Sequence, residues 1–144
     1  AEEEFAVVKA GGAAASVPVR RILTSSDIAL LRKLLSKIVC DDALIEYIVS
    51  LISVTRPSPD KKASEHDITR YIAFGASPRA GIALLQCAKA AALFQGRSFV
   101  LPEDVKLAAP AVMRHRLVLS YEAAADSVTA DEIISRILDF VPVP

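Results

Sequence analysis

Apolar residues recur every three or four positions through most of this sequence, and polar residues, glycine or proline bound each such segment. That spacing places apolar side chains along one face of a helix, so it predicts amphipathic helices rather than strands. The pattern covers residues 25–38, 41–56, 78–95, a segment that begins at 102, and 129–141. Five such helices predict a mainly α protein, folded as a small helical bundle.

Residues that cap helices stand at several predicted starts. Asp41 precedes the second segment, where its carboxylate can accept hydrogen bonds from first-turn N–H groups. Ser77 followed by Pro78 predicts an N-cap and a first helical residue that needs no N–H donor. Thr129, with an acid three residues later, forms a capping box, and Gly96 stands where a left-handed C-cap belongs.

Other segments depart from the helical pattern. Residues 99–101 and 117–119 are short and rich in aliphatic side chains, which predicts a minimal β-ribbon between them. Pro110 has no N–H and predicts a break in the fourth helix. Residues 2–9 are compatible with a short helix, and residues 64–72 are compatible with a helical turn.

Composition excludes several classes of protein. Hydrophobic residues make up 53% and charged residues 24% of the 144 residues, which requires a folded core. The charges balance, with 17 Lys and Arg against 17 Asp and Glu. A neutral chain lacks the broad positive field of a nucleic-acid binder, so a histone-like or winged-helix function is disfavoured.

The sequence also predicts a cytoplasmic protein. No apolar run approaches the ~18–20 residues that a membrane span needs, and acidic residues 2–4 do not resemble the positive start of a secretory signal. Cys40 and Cys87 lie in apolar segments without Cys-x-x-Cys spacing, which predicts two reduced, buried side chains.

Motifs for autonomous catalysis are absent from the sequence. Its five glycines form neither a P-loop nor a dinucleotide-binding pattern. His66 and His115 are far apart and lack clustered Cys, Asp or Glu at zinc-ligand spacing, and no serine lies in a nucleophile elbow. We therefore expect no catalytic residue and no metal site in this chain alone.

Arg79 breaks a local rule, because it places a cation in the first turn of a helix, at the positive end of the helix dipole. An anionic oxygen such as a terminal phosphate would compensate, with Ser77 and free N–H groups beside it. An ion pair with a loop acid such as Asp67 would compensate equally well. Arg114 and Arg116, with His115 between them, stand near a helix end where cations are favoured without any ligand.

Residues 75–80 read Gly-Ala-Ser-Pro-Arg-Ala, and this run resembles the GASPRA motif in the C-terminal lid of MoxR-type AAA+ ATPases. Residues 96–106 resemble the family's GR-x-x-V-x-PEDVK stretch, and residues 114–117 resemble its RHRL motif. Residues 128–132 and the terminal Val-Pro at 141–142 fit its closing pattern. The resemblance runs from about residue 22 to residue 144, in order and at consistent spacing.

The resemblance implies a helical lid that packs beside a P-loop core and holds nucleotide between the two. The sensor-2 arginine of the family falls on Arg79, which would touch the γ-phosphate, with Ala76, Ser77 and Pro78 forming the nucleotide-binding turn around it. ATP and Mg²⁺ would bind the full-length protein, whereas this chain alone is expected to bind neither. Residues 1–20 would be the end of a core helix plus a linker, and residues 21–144 the lid.

The resemblance also implies partners: the AAA+ core in cis, neighbouring subunits of a hexameric ring, and proteins with von Willebrand factor A domains. Two features depart from the family pattern. Leu101 stands where a capping Thr or Ser is expected, and residues 58–72 lengthen the loop before residues 75–80. The alternative function is a free-standing helical domain that binds a partner helix through an exposed apolar groove.

Overall fold

The computed structural model describes residues 2–9, 20–57 and 68–144. Within them the chain is mainly helical, as the sequence predicts, with one two-stranded antiparallel sheet. The elements are α1 (Glu2–Lys9), α2 (Ser25–Leu35), α3 (Asp42–Val54), β1 (Ile72–Phe74), α4 (Pro78–Phe94), α5 (Pro102–Met113), β2 (Val118–Leu119), α6 (Tyr121–Ala125) and α7 (Ala130–Phe140). Two 3-10 turns, Ile68–Tyr71 and Arg114–Arg116, precede the strands.

The chain forms two compact units, residues 1–32 and residues 33–144. The predicted boundary between residues 20 and 21 remains a prediction. The small-residue run Gly-Gly-Ala-Ala-Ala-Ser at 11–16, which predicts the linker, lies outside the described residues. Helix α2 begins at a capping pair in which Asp27 Oδ2 accepts from Thr24 N at 2.7 Å. None of the α2 residues is buried. The helix also ends at Leu35, three residues before the predicted end.

Helix α3 follows the prediction closely. Asp41 is its N-cap, and its Oδ1 accepts a hydrogen bond from Ala43 N at 2.9 Å. Its buried residues recur at helical spacing: Leu44, Tyr47, Ile48, Leu51 and Ile52. These side chains form one wall of the hydrophobic core of the second unit.

Helix α4 packs mainly against α5 and also against α3. Its buried stripe has a spacing of four residues: Ala80, Leu84, Ala88 and Ala92. Three small side chains in that stripe let the neighbouring backbones approach closely. The apolar spacing of segment 78–95 also predicts that Ile82 lies on the buried side of this helix, but Ile82 is 64% exposed. Apolar residues occupy almost every face of the helix, so periodicity alone does not select one. Gly96 has φ +71°, as the predicted left-handed C-cap requires.

Helix α5 runs through Pro110 without a break, so the predicted interruption is wrong. Proline removes one intrahelical hydrogen bond and costs about 3 kcal/mol in a helix interior. Burial of residues on both sides of Pro110, including Ala109, Val112 and Met113, offsets that cost. Leu101 offers no capping oxygen, but Asp104 accepts from Leu101 N at 2.8 Å and so defines the helix start from within.

The predicted ribbon has the wrong first strand. β2 lies within the predicted residues 117–119, but it pairs with β1, with Ile72 opposite Leu119 and Phe74 opposite Val118. Residues 98–100 instead contact Val39, whose N–H donates to Ser98 O at 2.9 Å and whose carbonyl accepts from Val100 N at 3.0 Å. The helical turn considered at 64–72 is present from Ile68 to Tyr71, and residues 58–67 lie outside the described part.

The C-terminal elements complete the core. Helix α6 was not predicted; it is only five residues long and is capped by Ser120. Helix α7 begins at the predicted capping box, with Thr129 N donating to Glu132 Oε2 at 2.7 Å, and buries Ile133, Ile134 and Ile137. No helix in the described ranges is long and apolar enough to cross a membrane.

Both cysteines are free thiols, but their predicted burial is wrong in part. Cys40 is half-buried, and burial raises the pKa of its thiol. Cys87 is exposed. Cys87 is not part of the buried stripe of α4, which passes through residues 84 and 88.

Candidate functional site

The turn that leads into α4 is formed by residues 75–77, between the end of β1 and Pro78. Ser77 has extended backbone angles, φ −85° and ψ 167°, and Pro78 occupies the first helical position. The N-cap position is therefore as predicted. The Ser77 side chain, however, makes no capping hydrogen bond, so its hydroxyl is available to another group.

Arg79 occupies the second position of α4, and its side chain is exposed. Over residues 2–9, 20–57 and 68–144, the guanidinium has no hydrogen-bond or ion-pair partner. The first turn of α4 contains no acidic residue, so nothing in that turn neutralises the cation. Asp67, the acid proposed as its alternative partner, lies outside the described residues.

The backbone at this helix start supplies further donors. First-turn N–H groups have no carbonyl partner within a helix. Pro78 has no N–H to offer, and Ala80 N donates to Ser77 O at 2.8 Å. Arg79 therefore carries two kinds of donor, its backbone N–H and its guanidinium. Both lie at the positive end of the helix dipole.

The end of α3 holds this turn in place. Thr55 Oγ1 accepts a hydrogen bond from Ala76 N at 2.9 Å, and Arg56 Nε donates to Ala76 O at 3.2 Å. Ala76, one of the four residues predicted to bind nucleotide, is fully buried. It therefore contributes the position of its backbone and no exposed surface. Gly75 packs directly against Thr55, where a Cβ would lie 2.3 Å from the Thr55 carbonyl oxygen.

Sequence reasoning missed Thr55 and assigned Arg56 only to a helix end. A signal for Thr55 was present: it follows Leu51 by four residues and Ile48 by seven, so it continues the buried face of α3. A polar residue on a buried face needs hydrogen-bond partners. The identity of those partners could not be read from the sequence, because Ala76 lies 21 residues further along the chain.

An apolar groove of about 350 Å³ lies between α3 and α4 and reaches the first turn of α4. Its exposed walls include Ile45, Val49 and Ile82, and Arg56 and Pro78 stand at the end nearest the turn. The alternative function, binding of a partner helix, requires an exposed apolar surface of this kind.

The other cations singled out by the sequence have partners or lie elsewhere. Arg116 donates to Val112 O in the last turn of α5, as expected for a residue that caps a helix end. Arg114 does not cap: its Nε donates to Asp131 Oδ1 at 2.7 Å, in the first turn of α7. His115 is exposed in the 3-10 turn between them. His66 lies outside the described residues.

The donor set at the start of α4 suits an anionic oxygen. It combines the exposed Arg79 guanidinium, which has no partner among the described residues, the Ser77 hydroxyl, which makes no capping hydrogen bond, and the Arg79 backbone N–H at the helix N-terminus. Such groups bind phosphate through charge-assisted hydrogen bonds. The structure thus brings Ser77, Pro78 and Arg79 together at one exposed helix start, with Ala76 buried behind them.

Comparison with known proteins identifies the family of this chain. The AAA lid domain family matches residues 64–137. The chain is 36% identical over 125 residues to "Chaperone MoxR1" of Mycobacterium tuberculosis, covering 87% of this chain and 33% of that protein. It is 32% identical over 108 residues to "Protein MoxR" of Methylorubrum extorquens, covering 72% of this chain and 31% of that protein.

A solved structure gives the same result. The crystal structure of a candidate ATPase from Cytophaga hutchinsonii matches with a TM-score of 0.78 and 35% identity, over 99% of this chain and 43% of that one. The chain spans about a third of the length of the curated relatives named above. The chain therefore belongs to the AAA lid domain family, and it is a lid domain of the MoxR-like AAA+ ATPase type.

Proposed function

We propose that this lid domain senses nucleotide in a full-length MoxR-like AAA+ ATPase and that Arg79 is the residue that contacts the γ-phosphate. The observation that carries the proposal is the exposed guanidinium at the second position of α4, which has no partner among the described residues. A cation at that position costs about 0.3–1 kcal/mol through the helix dipole when it is exposed. A bound phosphate would turn that cost into a favourable interaction.

The chemistry of the proposal is electrostatic. Arg79 would place positive charge beside the phosphoryl group, where negative charge must be stabilised during its transfer. Ser77 Oγ and the Arg79 backbone N–H would donate to the same oxygen atoms, and Pro78 would fix the start of the helix without competing for them. ATP supplies the phosphoryl group when it is bound with Mg²⁺.

The rest of the catalytic machinery must come from residues outside this sequence, because the sequence contains no G-x-x-x-x-G-K-S/T motif. We expect the AAA+ core in cis to supply it and neighbouring subunits of a hexameric ring to complete the assembly. By itself the chain is expected not to hydrolyse ATP. Binding to proteins with von Willebrand factor A domains and a cytoplasmic location remain predictions.

The test is ATP turnover by the full-length protein with Arg79→Ala. Loss of one group that stabilises charge in the transition state lowers turnover by about 100-fold, and we expect a decrease of that order. The midpoint of thermal unfolding should move little, because exposed side chains without partners contribute within about 0.5 kcal/mol. Arg136→Ala, which removes an exposed arginine from α7, is the matched control and should leave turnover unchanged. Normal turnover in Arg79→Ala would refute the assignment.

A second candidate is the helix-binding interaction domain, which the apolar groove between α3 and α4 favours. The two functions differ in what precedes this chain in its gene. A P-loop motif followed by an apolar strand ending in Asp-Glu, upstream and in frame, supports the lid function. A reading frame without them supports the interaction domain.

A further inference from the structure

Both polar backbone groups of Ala76 are held by two adjacent residues at the end of α3. The Ala76 N–H donates to Thr55 Oγ1 at 2.9 Å, and the Ala76 carbonyl accepts from Arg56 Nε at 3.2 Å. Ala76 itself is fully buried. Its peptide groups therefore depend on these two side chains for the hydrogen bonds that water cannot supply.

The Thr55 hydroxyl is fixed in the orientation that this contact needs. Thr55 is fully buried, and its Oγ1 donates to Ile52 O at 2.6 Å in the last turn of α3. A hydroxyl has one donor hydrogen, so this bond directs the oxygen lone pairs away from Ile52. Ala76 N–H occupies one of them, and the hydroxyl links the end of α3 to the turn before α4.

Gly75 brings the two segments into direct contact. A Cβ at this position would lie 2.3 Å from the Thr55 carbonyl oxygen and 2.8 Å from Thr55 Oγ1. No real Cβ is found that close to another heavy atom, so the backbone of residue 75 packs on Thr55 without any intervening side chain. The turn has no room to shift toward α3.

Helix α4 is therefore positioned from outside its own first turn. Ser77 makes no capping hydrogen bond, and Arg79 follows Ala76 by three residues, at the second position of the helix. A displacement of Ala76 would move the Arg79 backbone with it. We infer that Thr55 and Arg56 are positioning residues for Arg79: they place its guanidinium where it meets the phosphate. This inference rests on the proposed function of Arg79.

The test uses the full-length protein with Thr55→Val, which keeps the shape of the side chain but removes the hydroxyl. A shift of about 1 Å in a catalytic group can lower the rate by up to about 100-fold, and we expect kcat to fall by about tenfold or more, with the Kd for ADP unchanged. Thr55→Ser retains the hydroxyl and should restore kcat. Thr129→Val is the matched control: it removes a capping hydroxyl at the start of α7 and should leave kcat unchanged.

A double-mutant cycle separates positioning from a general structural effect. In an Arg79→Ala background, Thr55→Val should cause no further decrease in kcat, because the group that it positions is already absent. Arg56→Met changes an exposed side chain and should behave in the same way, so it decides the question if Thr55→Val does not fold. A decrease of equal size in both backgrounds would overturn the inference.

Two further measurements do not depend on turnover. The affinity for ATP relative to ADP should fall in Thr55→Val, since only ATP carries the γ-phosphate. Hydrogen exchange in the segment that contains Ala76 should become faster in Thr55→Val and stay slow in Thr129→Val.

If Arg79→Ala lowers turnover but Thr55→Val and Arg56→Met do not, the inference fails and the proposed function stands. If Arg79→Ala has no effect, the proposed function itself fails.

Discussion

Both oxygens of the Asp104 carboxylate are bound by the guanidinium of Arg97. Arg97 Nη2 donates to Oδ1 at 2.6 Å, and Nη1 donates to Oδ2 at 2.8 Å. Oδ2 also accepts the N–H of Leu101, and the same guanidinium donates to Phe99 O at 3.0 Å. The pair links the loop between α4 and α5 to the first turn of α5. Both of its residues belong to the stretch at 96–106 that resembles GR-x-x-V-x-PEDVK.

Breaking this pair should destabilise the protein strongly. The Asp104 side chain is only 2% exposed, so Arg97→Met would leave a buried carboxylate without its cation and should cost about 3 kcal/mol of unfolding free energy. Arg114→Met breaks the Arg114–Asp131 pair, in which both side chains are more than half exposed, and should cost much less, because solvent screens an exposed pair. Urea unfolding measures both values. Equal losses would contradict the distinction.

The same pair predicts how stability depends on pH. Hydrogen bonds from Arg97 lower the pKa of Asp104 below its ordinary value in the folded protein, against the opposing effect of burial. A carboxylate with a lowered folded pKa contributes stability above its unfolded pKa of about 3.9 and loses it as pH falls through the folded value. Unfolding free energy should therefore decrease below about pH 4, and Asp104→Asn should make that decrease shallower. Glu132→Gln gives the comparison, because hydrogen bonds from Thr129 lower the pKa of exposed Glu132.

Three glycines should respond differently to alanine. Gly81→Ala should stabilise the protein by about 0.5–1 kcal/mol, because Gly81 lies inside α4, where alanine is preferred to glycine. The new Cβ would meet Ile48 and Ile52 of α3 at an ordinary contact distance of 3.7 Å. Gly96→Ala should cost about 1–2 kcal/mol through its left-handed backbone alone. Gly75→Ala should cost about 3 kcal/mol, since its Cβ would overlap the Thr55 carbonyl. Chemical unfolding of the three variants gives the order, and a stable Gly75→Ala would contradict the close contact.

The two cysteines should react with a thiol reagent at different rates. Cys87 is exposed on α4, whereas Cys40 is half-buried and its thiol pKa is raised by that burial. Because the thiolate is the reactive form, Cys40 should react more slowly than Cys87 at neutral pH. Single variants Cys40→Ala and Cys87→Ala assign the two phases. A faster reaction at Cys40 would show that the side-chain environments are reversed.

The features that sequence predicts well are local ones. The caps at Asp41 and Thr129 define helix starts because their hydrogen bonds reach only two or three residues along the chain. Pro78 and Gly96 mark the ends of α4 for the same reason: their backbone preferences act where they stand. The buried face of α7 was predicted as well, since apolar and polar residues separate clearly around that helix.

The features that sequence missed depend on residues far apart in the chain. The partner of β2 could not be chosen between residues 72–74 and 99–101, because both are short and apolar. Pro110 stays in a helix through packing on its neighbours. Arg79 could be singled out from its local position in the sequence, but the contacts that hold its helix start join Thr55 to Ala76, 21 residues further along the chain.

The affinity of the full-length protein for ATP compared with ADP tests the role of Arg79 most directly. The two nucleotides differ by the γ-phosphate, so a contact made only to that group affects one affinity and spares the other. We predict that Arg79→Ala weakens ATP binding while the Kd for ADP stays the same. An unchanged ratio of the two Kd values in Arg79→Ala would contradict the account.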